Sequence, residues 1–224
     1  MLTLKEIAHI RSDFPEKFGI PRQSGLVEEL VSTIVFEPEY RVPEALRGLE
    51  QYSHIWLVWE FSKAVRDGWS PTVRPPRLGG NTRMGVFATR SPFRPNPLGL
   101  SCVKIESIQL STTDGPAIRV SGADLMDGTP IYDIKPYVVY ADSHPDARSG
   151  FVDTHALQRL QVDIPQPFAA RFTSAQLEAL RGVLSLDPRP HYHNDPNKLY
   201  GMSYAGRDVR FRVADGVLTV VEVE

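Results

Sequence analysis

The chain has 224 residues, 42% of them hydrophobic and 23% charged, which is typical of a globular protein with one ordinary domain or one domain plus a small appendage. Its formal net charge of -2 excludes a protein that binds nucleic acid through bulk positive charge. Cys102 is the single cysteine, and the sequence has neither a signal-peptide pattern nor an apolar run of about 20 residues, so we expect a cytoplasmic protein without internal disulfides.

Strand-like runs, rich in β-branched and aromatic residues, dominate the first two thirds of the chain. They cover residues 4–10, 27–36, 54–61, 85–89, 100–110 and 117–121. Proline at the start and glycine at the end of residues 43–48 predict one short helix. Because no helices of ten or more residues alternate with these strands, a doubly wound sheet is excluded. The pattern predicts a mainly β fold, as an antiparallel β-barrel or a strongly curved sheet.

The pattern changes from about residue 143. Residues 173–186 predict the longest helix, because Thr173 and Gln176 have the spacing of a capping box and leucines and a valine follow on one face. Residues 209–213 and 217–223 predict a hairpin around Asp215-Gly216. The expected organisation is therefore a β-barrel domain over residues 1–145, a linker over 146–166 and a small α+β domain over 167–224.

Residues 69–99 combine six prolines with five arginines. Proline fixes φ and removes a backbone donor, so this segment predicts stiff loops that present guanidinium groups suited to phosphate or carboxylate. Ion pairing of these arginines with surface acids is an equally good interpretation. Trp69 could stack on a base or pack under the loop. A phosphate-binding P-loop is excluded because Val86 and Phe87 follow Gly85 where lysine and Ser/Thr are required, and no dinucleotide-binding glycine motif is present.

Two polar clusters follow the predicted barrel strands. Asp124 and Asp127 flank a turn that runs on through Gly128, Thr129 and Pro130. This turn could hold a ribose or an amino-acid group, although the motif on its own favours a plain β-turn between strands. Alternation then places Asp133, Lys135 and Tyr137 on one face of an extended segment. Such a set could orient or deprotonate a nucleophile, or form a surface ion pair beside a packed tyrosine.

Near the C-terminus, His191, His193 and Asp195 have metal-ligand chemistry. Two histidines two residues apart are weak evidence without a third ligand of known spacing, so we predict no metal site.

Several long blocks together resemble the TrmO family, also called TsaA-like. The blocks are PRQSGLV at 21–27, LRGLEQYSHIWLVWEF at 46–61, TVRPPRLGGNTRMGVFATRSPFRPNPLGLS at 72–101, DLMDGTPIYDIKPY at 124–137 and DPRPHY at 187–192. The resemblance implies a single-sheeted antiparallel β-barrel followed by a small C-terminal domain. It also implies transfer of a methyl group from S-adenosyl-L-methionine to the exocyclic amine of threonylcarbamoyladenosine, beside the anticodon of tRNA, by a homodimer with the cofactor near the subunit interface.

The resemblance also implies roles for individual residues. The cofactor contacts would be Pro21, Arg22, Gln23, Ser62, Lys63, Arg90, Leu100, Asp127, Gly128, Thr129 and Pro130. Asp133, Lys135 and Tyr137 would orient the acceptor amine or take its proton. The residues facing RNA phosphates would be Arg74, Arg77, Arg83, Arg94, Lys198, Arg207 and Arg210.

Two alternatives belong to other functional classes. A non-catalytic module that binds S-adenosylmethionine or a nucleotide would keep the cofactor contacts but would not need Asp133. A metal-dependent hydrolase using His191, His193 and Asp195 would be sensitive to chelators.

Overall fold

The computed structural model describes residues 3–65, 68–78, 82–154, 158–190 and 195–224, with the side chain of Arg77 excepted. Six strands close into an antiparallel barrel in the order β1-β2-β7-β6-β3-β8, which confirms the predicted barrel. Their bounds are β1 Ala8–Arg11, β2 Val31–Phe36, β3 His54–Glu60, β6 Leu98–Gln109, β7 Ala117–Ser121 and β8 Pro130–Pro136.

Alternation along β3 shows how the sequence forms the barrel core. Ile55, Leu57 and Trp59 are buried, whereas the residues between them lie on the outer face. They pack with inward residues of every other barrel strand, such as Ile34, Ile118 and Ile131. The barrel interior is therefore filled by side chains.

Most of the segments that contain candidate site residues lie at one end of the barrel. There β3 ends, β6 and β8 begin, and β1 and β7 end, because all neighbouring barrel strands are antiparallel. We call this the loop end of the barrel. The long connection from β3 to β6 leaves and re-enters here, and its neck is closed by the bond from the Phe61 N–H to the Pro97 carbonyl, at 2.8 Å.

The proline- and arginine-rich connection has little regular structure, as its proline content predicts. Its described part contains a two-stranded ladder, β4 Thr72–Val73 with β5 Met84–Gly85. The predicted strand over residues 85–89 is wrong, because Val86–Ala88 form a 3-10 turn. The Thr89 hydroxyl and N–H both bond to the Val86 carbonyl, so local bonds replace a ladder there.

The C-terminal part of the chain has its own sheet, in the order β10-β11-β12-β9. Its strands are β9 Gln161–Asp163, β10 Tyr200–Tyr204, β11 Arg207–Ala214 and β12 Val217–Val223. The helices in the described residues are α1 Val139–Asp142, α2 Phe151–Thr154, α3 Gln166–Ala169 and α4 Ser174–Ser185. The predicted helix is confirmed in α4 with its Thr173–Gln176 capping box, and the hairpin is confirmed in β11 and β12, with Asp215 and Gly216 at positive φ.

Residues 12–30 join the barrel to the C-terminal sheet. Phe14, Val27 and Leu30 lie in the same apolar core as α4 and β10–β12, not in the barrel core. The fit is close, because a Cβ on Gly182 of α4 would lie 2.7 Å from Val27 Cγ1. The C-terminal sheet therefore holds residues 12–30 in place, including the segment Pro21–Gln23. The domain limits given above stay a prediction.

None of the helices in the described residues is long and apolar enough to cross a membrane.

Candidate functional site

The first group of predicted cofactor residues meets at the loop end of the barrel. The Arg90 guanidinium donates to the side-chain carbonyl of Gln23, which brings together residues 67 positions apart in sequence. Lys17 Nζ donates to the Lys63 carbonyl at 2.5 Å, so the Ser62–Lys63 turn lies against the same segment. Pro21 and Arg22 line a cleft of about 190 Å³ between residues 17–22 and the C-terminal end of α4.

Asp124 links this group to the barrel interior. Its Oδ1 accepts a 2.5 Å bond from the Ser101 hydroxyl, and Ser101 Oγ in turn accepts a 2.9 Å bond from Trp59 Nε1. The Ser24 backbone N–H also donates to the carboxyl group, and the Arg90 charge lies near it. Burial raises the pKa of Asp124, and these donors and the Arg90 charge oppose that shift. The carboxyl group therefore connects the 21–24 segment, Arg90 and the barrel wall.

Gly99 is required at the base of this network. It faces Trp59 across the β3–β6 ladder, and the indole lies so close over it that a Cβ would overlap the six-membered ring. Phe61 also packs against the indole, with 4.3 Å between its ring centroid and that of Trp59. The absence of a side chain at Gly99 thus lets the indole reach Ser101.

The predicted turn at residues 127–130 also lies at the loop end. Asp127 Oδ1 accepts the Ser12 N–H at 2.9 Å, and the Gly128 N–H donates to the Ile10 carbonyl at 2.8 Å. Asp127 and Gly128 are exposed. Thr129 is buried, and its hydroxyl bonds to the Met126 carbonyl at 2.7 Å, so it shapes the turn instead of facing solvent.

A second group lies on the outer face of the barrel, next to the loop end. Leu100, Val58 and Asp133 are paired across β6, β3 and β8, so about 10 Å separates the Leu100 and Asp133 backbones, the width of two strand spacings. The Leu100 side chain is 55% exposed. An apolar surface and a carboxylate therefore face the same solvent-filled space.

The candidate catalytic residues lie along this outer face. Lys135 Nζ is 2.8 Å from Asp133 Oδ2, and this hydrogen bond and charge raise the pKa of Lys135. Lys135 pairs with Trp56, whose ring centroid is 5.9 Å from that of Tyr137. The structure thus brings Asp133 and Lys135 into direct contact and places Tyr137 beside Trp56 on the same face.

The predicted RNA-facing arginines differ in how far they are engaged. Arg74, Arg83 and Arg90 are exposed, and within the described ranges none of the three lies in an ion pair. Arg94 donates to the carbonyls of Thr89 and Ser91 and braces the loop. The Arg77 side chain lies outside the described residues.

The candidate RNA-facing residues near the C-terminus already contact neighbouring side chains. Arg210 is paired with Asp208, Glu222 and Glu224, so its charge is compensated within the sheet. Arg207 lies over the Phe172 ring, 5.8 Å from its centroid, and Lys198 lies 5.5 Å from the Tyr200 centroid.

Groups with metal-ligand chemistry give little support for a metal centre. His191 and His193 lie outside the described residues. Within them, Glu6, His9 and Glu37 form one cluster on the outer barrel wall, and His9 Nδ1 is 2.7 Å from Glu37 Oε1. A partly exposed His9–Glu37 hydrogen bond explains this geometry without an ion.

Sequence patterns alone do not place Asp124, Ser101 and Trp59 in the site. Asp124 belongs to the DLMDGTP motif at 124–130, but of its two aspartates the resemblance implies a role only for Asp127. The sequence feature that could have identified Asp124 is that it is a second carboxylate in this motif. Its partner Ser101 lies in β6, and Trp59, which donates to Ser101, lies in β3, so these contacts form only once the barrel closes.

Comparisons with known proteins cover both parts of the chain. A family model described as the tRNA-methyltransferase O N-terminal domain matches residues 9–143, and the TrmO C-terminal domain model matches residues 157–224. A tRNA (adenine(37)-N6)-methyltransferase of Escherichia coli is 39% identical over 228 residues, covering 98% of this chain and 97% of its own. A Pseudomonas aeruginosa protein, named provisionally as an S-adenosylmethionine-dependent methyltransferase, is 41% identical over 216 residues, covering 93% of this chain and 91% of its own.

A solved structure gives the same result. The crystal structure of TrmO from Pseudomonas aeruginosa superimposes with a TM-score of 0.80 at 33% identity, covering 100% of this chain and 98% of that one. Since the two family models span most of the sequence and the structural match spans all of it, the chain belongs to the TrmO family of tRNA methyltransferases.

Proposed function

We propose that this chain transfers a methyl group from S-adenosyl-L-methionine to the exocyclic N6 of adenosine 37 in tRNA, and that the acceptor is threonylcarbamoyladenosine. The similarity to a tRNA (adenine(37)-N6)-methyltransferase along 98% of the chain carries this proposal. Since its substrate would be tRNA, we place the protein in the cytoplasm.

The residues at the loop end fit the chemistry of the cofactor. Arg90 is exposed and offers a guanidinium fork to the methionine carboxylate. The Asp127 carboxylate, held through one oxygen by the Ser12 N–H, is exposed and can accept from ribose hydroxyls or the amino group. Leu100 offers apolar surface to the adenine ring. A cation, an anion and an apolar surface thus match the three parts of this amphoteric molecule.

Asp133 is the proposed proton acceptor in the reaction. The Asp133 carboxylate raises the pKa of Lys135, so Lys135 is an ammonium group and serves as a hydrogen-bond donor, not as a base. Tyr137, beside Trp56, would limit the position of the incoming nucleoside. Of these three residues, Asp133 is the partly exposed carboxylate that can take a proton.

When bound, S-adenosylmethionine supplies an electrophilic methyl group on a sulfonium. The acceptor N6 would form the new bond to the methyl carbon as the carbon–sulfur bond breaks. The electron pair of the broken bond would leave with the sulfur of S-adenosylhomocysteine. The N6 proton passes to Asp133 and then to water. Because the N6 lone pair is delocalised into the carbamoyl group, removal of this proton raises its nucleophilicity, and alignment provides most of the remaining acceleration.

The outer face of β6 is the proposed contact with a second copy of the chain. Leu100, Val139 and Tyr140 are 55%, 70% and 92% exposed, and the Asp142 charge near Cys102 places α1 beside the same strand. Large apolar side chains this exposed are typical of interaction sites when they share a surface. The surface also borders the Leu100–Asp133 row, so the partner would help to enclose the cofactor. Sedimentation equilibrium tests this, with the mass of two chains expected.

Arg74, Arg77, Arg83 and Arg94 are the proposed contacts to anticodon-loop phosphates, with Lys198 and Arg207 at the edge of that surface. Arg210 contributes less, since three carboxylates already surround it.

A methylation assay tests the function directly. The purified chain is incubated with S-adenosylmethionine and tRNA that carries threonylcarbamoyladenosine but lacks its methyl group. Nucleoside mass spectrometry should show a gain of one methyl group on that nucleoside, with and without a chelator. Cofactor binding without methylation of this or any other tRNA nucleoside would favour the non-catalytic binding module. Hydrolysis that chelator abolishes, with no methyl transfer, would favour the hydrolase.

A further inference from the structure

Two aromatic side chains lie together on the surface of the β3–β6 connection. The Trp69 and Phe87 rings are stacked, with centroids 6.0 Å apart and an interplanar angle of 30°. Trp69 is 53% exposed and Phe87 is 74% exposed. Two large apolar rings left side by side in water are unfavourable for a free chain, so the pair indicates a binding surface.

The backbone beneath the pair is well fixed. The β4–β5 ladder joins Thr72 to Gly85, and the Val86 N–H donates to the Pro71 carbonyl at 2.9 Å. Val86 is buried directly before Phe87, and Pro75 is buried in the same loop. The rings are therefore presented in a preorganised position, which lowers the entropy cost of binding.

The residues around the Trp69–Phe87 pair indicate which kind of partner it binds. Residues 69–97 contain no aspartate or glutamate, and the exposed Arg74, Arg83 and Arg90 form no ion pair with any residue that the structure describes. Arg83 donates to the Thr72 hydroxyl at 3.3 Å and so stays on the ladder that carries the rings. Aromatic faces beside exposed arginines such as Arg74 and Arg83 fit unpaired nucleotides, whose bases stack and whose phosphates pair with guanidinium groups.

The pair also lies close to the candidate cofactor residues. Phe87 is three residues before Arg90, whose guanidinium contacts Gln23. Three Cα–Cα steps span at most about 11 Å, a distance that a few nucleotides cover.

We propose that Trp69 and Phe87 form a stacking platform for an unpaired anticodon-loop base next to the adenosine that is methylated. This platform rests on the proposed function, and it adds a base contact to a surface so far described by phosphate contacts. It also makes an open, unpaired loop a requirement for substrate binding.

The test compares Trp69→Ala, Phe87→Ala and Trp69→Phe with the wild-type chain. Binding of a fluorescently labelled anticodon stem-loop, cofactor binding, and kcat and KM for tRNA are measured for each. Each alanine variant should weaken stem-loop binding and raise KM by about 5- to 150-fold, the range for loss of one base stack. Trp69→Phe should retain most of the affinity, and cofactor binding and kcat at saturating tRNA should stay within about twofold.

Tyr52→Ala is the matched control, because Tyr52 is also an exposed aromatic, at 41%, but precedes β3 at the opposite end of the barrel. It should bind the stem-loop like the wild-type chain. Unchanged stem-loop affinity in both alanine variants would overturn the platform. Loss of the dimer in sedimentation with stem-loop affinity retained would also overturn it, by assigning the rings to a contact between copies.

The two proposals fail in different ways. If the wild-type chain transfers no methyl group, the proposed function fails, whereas the stem-loop comparison still decides whether the rings bind an unpaired base.

Discussion

The Asp124 carboxyl group holds several parts of the candidate site together. It receives the Ser101 hydroxyl and the Ser24 N–H and lies near the Arg90 charge, so one carboxyl group orders residues from three segments. The sequence could identify it as part of a carboxylate pair around a turn. It could not identify the partners, because Trp59 is 42 residues from Ser101 and Ser101 is 23 from Asp124.

The raised pKa of Asp124 makes stability depend on pH in a defined direction. An unfolded aspartate has a pKa of about 3.9. Between that pH and the higher folded pKa, the folded chain binds more protons than the unfolded chain, so the wild-type chain loses stability relative to Asp124→Asn as the pH rises. Urea unfolding of both chains at a series of pH values measures the difference. Asp146→Asn, at an exposed carboxyl, is the control. A difference that grows in favour of the wild type as the pH rises would contradict the assignment.

The elements of the fold differ in how well their sequence predicts them. Helix α4 and the β11–β12 hairpin were predictable because a capping box and an Asp-Gly turn are local signals. Residues 85–89 were wrongly predicted as a strand, because β-propensity alone does not register the bonds from Thr89 to Val86. The short strands β9 and β10 were not predicted as strands. The three residues of β9 are too few to establish an alternation, and the glycine in β10 lowers its strand propensity.

Gly99 tests the packing between β3 and β6. Gly99→Ala places a methyl group inside the volume of the Trp59 ring, so the indole must move away from Ser101. We expect a loss of about 1–3 kcal/mol in the free energy of unfolding, the usual cost of overpacking a core. Weaker cofactor binding should accompany it, because the displaced indole disturbs Ser101 and Asp124.

Gly85→Ala provides the matched control for that change. Gly85 has φ -56 and nothing within 4 Å of an added Cβ. Its effect on unfolding should stay within about 0.5 kcal/mol. Equal effects of the two substitutions, both measured by urea denaturation, would show that the Trp59 contact does not matter.

At the scale of the whole molecule, charge distribution matters more than net charge. The chain carries -2 overall, yet residues 69–97 hold arginines and no acid, so a basic surface lies over the loop end of the barrel. The sequence alone could locate this segregation. The sequence could not show that residues 12–30 pack against the C-terminal sheet. Nothing in the local pattern around Phe14, Val27 and Leu30 distinguishes them from apolar residues of a barrel strand or a loop.

This charge distribution predicts the salt dependence of tRNA binding. Each phosphate contact to single-stranded nucleic acid contributes about -0.7 to the slope of log K against log salt concentration. Arg74→Ala combined with Arg83→Ala should therefore reduce the magnitude of the slope by about 1.4. Arg47→Ala, an exposed arginine near the opposite end of the barrel, should leave it unchanged. Equal slopes for the wild type and the double variant would remove these two arginines from the RNA surface.

The most direct test of the central claim is single-turnover methylation by Asp133→Ala beside the wild-type chain, with cofactor affinity measured by calorimetry on the same samples. The claim that Asp133 accepts the N6 proton predicts a rate lower by about 10²- to 10⁴-fold, the range for loss of a general base, with cofactor affinity within about twofold. A rate equal to that of the wild type would contradict this claim and would show that a residue other than Asp133 accepts the proton.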